Sequence, residues 1–244
     1  MKKLILFIIV VLGFGITSMA QPPKYDDLLI MFASEKYEKV LSKGEKYTQN
    51  KDTKKHALPF YFMAHALYNM SKDTKYTSDP KYKKSFKDAV KFAGKCRKKD
   101  KDSSVFEQKR TFFSDIKTDL IEIIANELES GGHARCKGWV FKIYAVTPGD
   151  VGAQYLQGAI ANIQGDRSTA NDIFKKANAA LEAIKSVDSW KQEDFDMLRI
   201  GLVEAAESYI KNRQPEKAKE LMNKGYKWLA NDDAYKLKYD EIVN

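Results

Sequence analysis

The chain has 244 residues, 43% of them hydrophobic and 31% charged, with 13 Gly, 6 Pro and two Cys. That is enough apolar material for one core or one repeat array, and it excludes a collagen-like or disordered chain. Lys and Arg number 42 against 33 Asp and Glu, a net charge of +9.

Met1-Lys2-Lys3 is followed by an apolar run from Leu4 to Ile16, then by Ser18-Met19-Ala20 ahead of Gln21, Pro22 and Pro23. A basic start, an apolar stretch short for a bilayer and a small-x-small site predict a signal peptide over residues 1–20, cleaved after Ala20, rather than an anchor helix. No Cys stands near that site, so a lipoprotein anchor is not indicated. Without Lys2 and Lys3 the mature chain carries 40 basic against 33 acidic side chains, or +7. An exported, periplasmic protein, free or held at the outer membrane, is the expectation, and no nucleic-acid partner is expected there.

From residue 25 onward apolar residues recur at spacings of three and four, as in Phe60, Met63, Ala64 and Leu67, and again in Ile116, Leu120, Ile123 and Ile124. This period predicts amphipathic helices, and no sustained period-two stretch predicts a strand. Eleven helices are expected, over 25–33, 35–49, 54–71, 80–99, 103–129, 133–146, 149–164, 167–186, 190–212, 214–230 and 232–243. Asp79-Pro80 and Thr147-Pro148 read as N-cap and first helical residue, with Asp150 near the first turn. Ser189 with Gln192 reads as a capping box. Ser130-Gly131-Gly132 and Gly165-Asp166 read as a helix stop followed at once by a new start. Short connections make consecutive helices antiparallel neighbours, and residues 21–244 are expected to form a single domain.

Two stretches share a spacing. Gly158 is followed by Ala170, Phe174 and Ala177, and Ala206 by Ala218, Met222 and Gly225 at the same intervals. Small residues at matched points let two antiparallel helices approach, with Phe174 and Met222 filling the space beside them. The pattern resembles the tetratricopeptide repeat, with Tyr209 at its first-helix aromatic position and Ala161 failing to match in the preceding unit. Tyr61, Ala64 and Tyr68 look like a further first helix, and Tyr37 to Val40 like the start of a second. The last two units stand 48 residues apart, longer than the family's period, and the 103–146 region matches no unit. The resemblance implies an all-α, tetratricopeptide-like α-solenoid of about five antiparallel helix pairs plus a C-terminal capping helix. A non-repeating helical bundle is the alternative.

The residues show no reaction. His133 and Cys136 lie close in sequence, but further ligands for zinc, or an orienting group for a nucleophilic thiol, are not visible. Phosphate-cradling loops and a serine elbow are missing as well. A non-enzymatic protein without cofactor, metal or small-molecule substrate is expected. Cys96 and Cys136 could pair outside the cytoplasm, where their loop of about 40 residues would add about 3–4 kcal/mol. The alternative is two separate buried thiols.

Charge is concentrated. Between Lys72 and Arg110 fourteen basic residues face six acidic ones, an excess of +8, so the rest of the mature chain is close to neutral. Lys84, Lys87, Lys91, Lys95 and Lys98 follow three and four spacing opposite Phe86, Ala89, Val90 and Ala93. This stripe predicts docking to an acidic protein or to anionic lipid head groups, against the alternative of a merely solvated face.

The tetratricopeptide resemblance implies a groove lined by first helices, with Tyr155, Asn162, Glu207 and Lys211 on its surface and Phe62 and Asn69 in the early unit. Packing between repeats is the other role open to these side chains. The family's Lys and Asn carboxylate clamp is not expected, because Tyr155, Ala159, Val203 and Glu207 occupy its places. With its leader and degenerate repeats the chain also resembles the PorD-like periplasmic components associated with the type IX secretion apparatus and gliding motility of Bacteroidota. That resemblance implies an adaptor or scaffold whose partners are proteins of an outer-membrane secretion complex. A periplasmic peptide-binding chaperone for exported clients is the alternative.

Overall fold

The computed structural model describes residues 25–244, and the leader expected over 1–20 lies outside them. Among the described residues there are thirteen α-helices, one 3-10 turn and no strand. They are α1 (Asp26–Ala33), α2 (Tyr37–Gln49), α3 (Leu58–Lys72), α4 (Thr74–Thr77), α5 (Ser85–Lys99), α6 (Ser104–Gln108) and α7 (Arg110–Glu129). They continue as α8 (His133–Val146), α9 (Val151–Ile163), α10 (Arg167–Glu182), α11 (Gln192–Lys211), α12 (Pro215–Leu229) and α13 (Asp233–Val243). No described helix is long and apolar enough to cross a membrane.

The all-α reading therefore holds, with differences at helix starts that have local causes. The helix expected over 80–99 begins at Ser85. Asp79 caps only the 3-10 turn Pro80–Tyr82, its carboxylate accepting from the Lys81 N–H at 2.8 Å. The helix expected over 103–129 is split at Lys109 into α6 and α7, and the start of α6 is held by Asp100, whose carboxylate accepts from the Val105 and Phe106 N–H groups at 3.1 and 2.8 Å. Asp150, and not Thr147, caps α9 through the Ala153 N–H. At α11 the capping box is formed by Lys191 and Asp194 instead of Ser189 and Gln192, with the Lys191 N–H donating to Asp194 at 2.9 Å. The stop at Gly131, in the left-handed region with φ +71°, and the start of α10 at Asp166 are as expected.

Packing joins consecutive helices in part and also skips elements, most extensively between α9 and α11 and also between α5 and α8 and between α7 and α11. α2 packs on α3, α3 on α5, α5 on α8, α8 on α7 and α9, α9 on α10 and α11, and α11 on α12, with α13 against α12 and α11. Two large buried clusters result. One runs from Tyr25 and Leu28 through Ile116 and Ile143 to Leu156, and the other from Tyr155 through Phe174 and Leu202 to Tyr235. α9 serves both, with Ala153, Leu156 and Ile160 on one side and Tyr155 and Ala159 on the other. A helix that is apolar nearly all round is buried nearly all round.

Small residues set the helix separations. A Cβ on Gly158 would stand 2.5 Å from the Phe174 ring, so these two residues face each other as the repeat spacing requires. Ala170, Ala177, Ala206, Ala218 and Met222 are all buried, and Tyr209 packs on Phe174 with ring centroids 4.9 Å apart. The tightest approach is one the spacing did not reveal. A Cβ on Gly201 of α11 would lie 2.0 Å from the carbonyl oxygen of Gly152 in α9, so the two backbones touch.

Candidate interaction surface

The lysine stripe begins with α5 being amphipathic. Ala89, Val90, Ala93 and Cys96 are buried against α3 and α8, which turns Lys84, Lys87, Lys91, Lys95 and Lys98 outward, and all five are exposed. None of the five has a carboxylate partner among the described residues' ion pairs. At one end Lys87 lies 5.4 Å from the ring centroid of Trp139 in α8, with Lys142 4.7 Å from the same ring. Burial and then the charge of Lys87 hold the Lys142 ammonium below its ordinary range. At the other end Lys95 lies 4.9 Å from the ring centroid of Phe92. Two of the five lysines thus lie over aromatic faces, and none of the five is held by a carboxylate among the described residues, which leaves their charge available to an outside anion.

The groove residues carried over from the repeat resemblance fare differently. Tyr155 is fully buried, and its hydroxyl donates to Asn178 at 2.7 Å. Asn162 is buried too and donates to the Ser208 hydroxyl at 3.0 Å. Both side chains are thus taken up in packing between helices rather than exposed: Tyr155 lies against Phe174 and Asn178 of α10, at the base of a cleft between α10 and α12, and Asn162 lies against α11. Glu207 and Lys211 are exposed, Glu207 pairing with Lys238 of α13 at 3.0 Å. Phe62 is buried, and Asn69 donates to the Tyr37 hydroxyl at 3.0 Å. An open groove does lie beside Glu207, about 360 Å³ between α7, α11 and α13, lined by Leu128, Ile200, Val203 and the 72% exposed Leu237.

Cys96 and Cys136 do not form a disulfide. Both are free and buried, within the cluster that includes Ile116 and Ile143. Burial first, then a neighbouring carboxylate, pushes the Cys96 thiol up to about 12 and the Cys136 thiol up to about 11. Protonated thiols are poor nucleophiles. His133 turns to Glu204, with Nε2 3.3 Å from the carboxylate. No group of three His, Cys, Asp or Glu able to hold a metal occurs among the described residues.

One charged cluster escaped the sequence reading. Lys117 of α7 is only 3% exposed and its ammonium donates to Asp150 and Asp194, both at 2.6 Å. The two carboxylates also cap α9 and α11, so a single lysine ties three helices at one end of the stack. Burial alone would lower the Lys117 pKa, but the two carboxylates outweigh it and hold it raised. The only sequence signal was a lysine inside an apolar period.

Compared with family models, with curated proteins and with solved structures, the chain matches none of them.

A pH effect arises in α3. His65 is half-buried between Phe32 and Phe112, at centroid distances of 4.5 and 4.7 Å, and its Nδ1 is 2.9 Å from the Tyr61 hydroxyl. Burial, aided by the Lys109 charge, lowers its pKa from 6.5 to about 4. Between these values the unfolded chain binds a proton that the folded one refuses, so this stability is complete above 6.5 and is lost as pH falls towards 4. With screening at a half-buried ring the loss is about 1–2 kcal/mol. Urea titrations over that range should show it, and His65→Phe should flatten the slope; an unchanged slope would refute the assignment.

Proposed function

We propose that this protein is a non-enzymatic adaptor of a protein assembly in the bacterial envelope, built as a tetratricopeptide-like α-solenoid of about five antiparallel helix pairs with α13 as its cap. The facing of Gly158 and Phe174, the burial of the matched Ala206, Ala218 and Met222, and the packing of α9 on both α10 and α11, with α11 on α12, support the repeat reading. Arrays of this kind present extended surfaces to partner proteins. In line with the resemblance to PorD-like components, the proposed assembly is an outer-membrane secretion complex of type IX character, engaged from its periplasmic side and associated with gliding motility.

The observation that carries the reading is the outward stripe from Lys84 to Lys98, whose cations carry no internal ion pair among the described residues. Mild crosslinking and co-purification from envelope extracts test it. Wild type should bring down a defined membrane-complex partner, and Lys87→Glu with Lys91→Glu and Lys95→Glu should lose it at low salt. Because these side chains are exposed, the triple variant should keep its stability to within about 0.5 kcal/mol per site. Equal capture by both proteins at low salt sinks the docking role of the stripe.

A second reading, a peptide-binding chaperone for exported clients, is favoured by the apolar groove between α7, α11 and α13. Capture of many unfolded clients in place of one partner would select it.

A further inference from the structure

Resting on the adaptor reading, we propose that the lysine stripe ends in a built cleft that accepts an acidic segment of a partner protein together with one of its apolar side chains. The cleft lies between α2 and α5 and encloses about 520 Å³. Its floor is apolar: Phe60 and Met63 are 6% and 5% exposed, and Phe92 stacks on Phe60 with centroids 6.5 Å apart. Its rim is cationic, made by Lys54, Lys95, Lys98 and Lys99, with Glu45 the single carboxylate in the lining.

None of those four lysines pairs with a carboxylate among the described residues, so an incoming anion would displace no internal partner. Lys95 sits over Phe92 at 4.9 Å and over Phe60 at 6.0 Å, which keeps its ammonium at the mouth above the apolar floor. Charge complementarity therefore requires a negative ligand, and the floor requires that it carry apolar surface. A lipid bilayer presents its head groups as a sheet and cannot enter the depth of a cleft, whereas an aromatic or leucine side chain of an extended acidic segment can. The same helix continues the cationic track through Lys91, Lys87 and Lys84, giving the flanking acidic residues a place to run.

The test uses the full chain and fluorescence anisotropy of a labelled peptide of alternating Glu and Phe. Two probes serve as comparisons: the same peptide with Ser in place of Phe, and vesicles containing phosphatidylglycerol. The Glu-Phe peptide should bind, more weakly as salt rises, and Lys98→Glu with Lys99→Glu should weaken it by about tenfold or more. Phe92→Ser should weaken the Glu-Phe peptide but leave the Glu-Ser peptide unchanged. Equal binding of the two peptides to wild type overturns the apolar floor. Vesicle binding that the peptide does not compete with, alongside no peptide binding, overturns the cleft in favour of a membrane surface. Because Lys95 and Lys98 belong to both the stripe and the cleft, the separating variant is Phe92→Ser, which leaves every stripe lysine in place: it should lose Glu-Phe peptide binding while partner capture through the stripe is kept.

Discussion

Lys117→Met is expected to destabilise the protein by about 3–5 kcal/mol, the largest effect of any single side chain described. The methionine fits the volume, so the cost is electrostatic. Asp150 and Asp194, each 2.6 Å from the ammonium in the native protein, would be left facing one another in a poorly hydrated site without a counter-charge. Both also cap helices, so any movement that relieves their repulsion loosens the first turns of α9 and α11. Urea unfolding followed by circular dichroism reads the loss. Adding Asp194→Asn to Lys117→Met should recover part of it, because one carboxylate is then neutral. A cost below about 1 kcal/mol would mean that the triad does not hold the three helices together.

Gly201→Ala should cost about 3 kcal/mol or more, at the upper end of what one added methyl does. Its Cβ would stand 2.0 Å from the Gly152 carbonyl oxygen, and the obstacle is backbone, which cannot rotate away as a side chain can. Gly152→Ala meets the Met197 carbonyl oxygen at 2.2 Å and should behave alike. At Gly138, in exposed mid-helix α8 with nothing within 4 Å of a new Cβ, the same change should instead stabilise by about 0.5–1 kcal/mol through the unfolded chain. Thermal melts of the three variants separate a steric cost from a general effect of glycine replacement. Destabilisation at Gly138 equal to that at Gly201 would refute the backbone contact between α9 and α11.

The positions that were legible and those that were not divide along a physical line. The lysine stripe of α5 was legible because one amphipathic helix fixes its own two faces, and the burial of Ala89, Val90 and Ala93 leaves the lysines no other direction. Gly158 with Ala170 and Phe174 was legible because two helices joined by a tight turn at Gly165 are nearly a local structure. Tyr155 and Asn162 were placed on a surface and are interior: Tyr155 is covered by Phe174 and Asn178 of α10, and the burial of Asn162 depends on how closely α11 lies on α9. That distance is set by Gly152 and Gly201, which stand far apart in sequence and off the repeat's matched positions. The residues that hold the starts of α6, α9 and α11 were missed for a similar reason: Asp100, Asp150 and Asp194 take backbone N–H groups through side-chain geometry that hydrophobic periodicity does not encode.

By itself, then, the sequence determined an all-helical chain, the order of its helices, the basic face of α5 and the small-residue pairing inside a hairpin. All of these follow from interactions within one helix or across one turn. Only the tertiary structure decided that Lys117 is buried between two capping carboxylates, that both cysteines are free, and that the α5 lysines border a cleft with α2. Those outcomes depend on the approach of helices distant in the chain, where a single methyl or a single charge fixes the separation and periodicity carries no information about it.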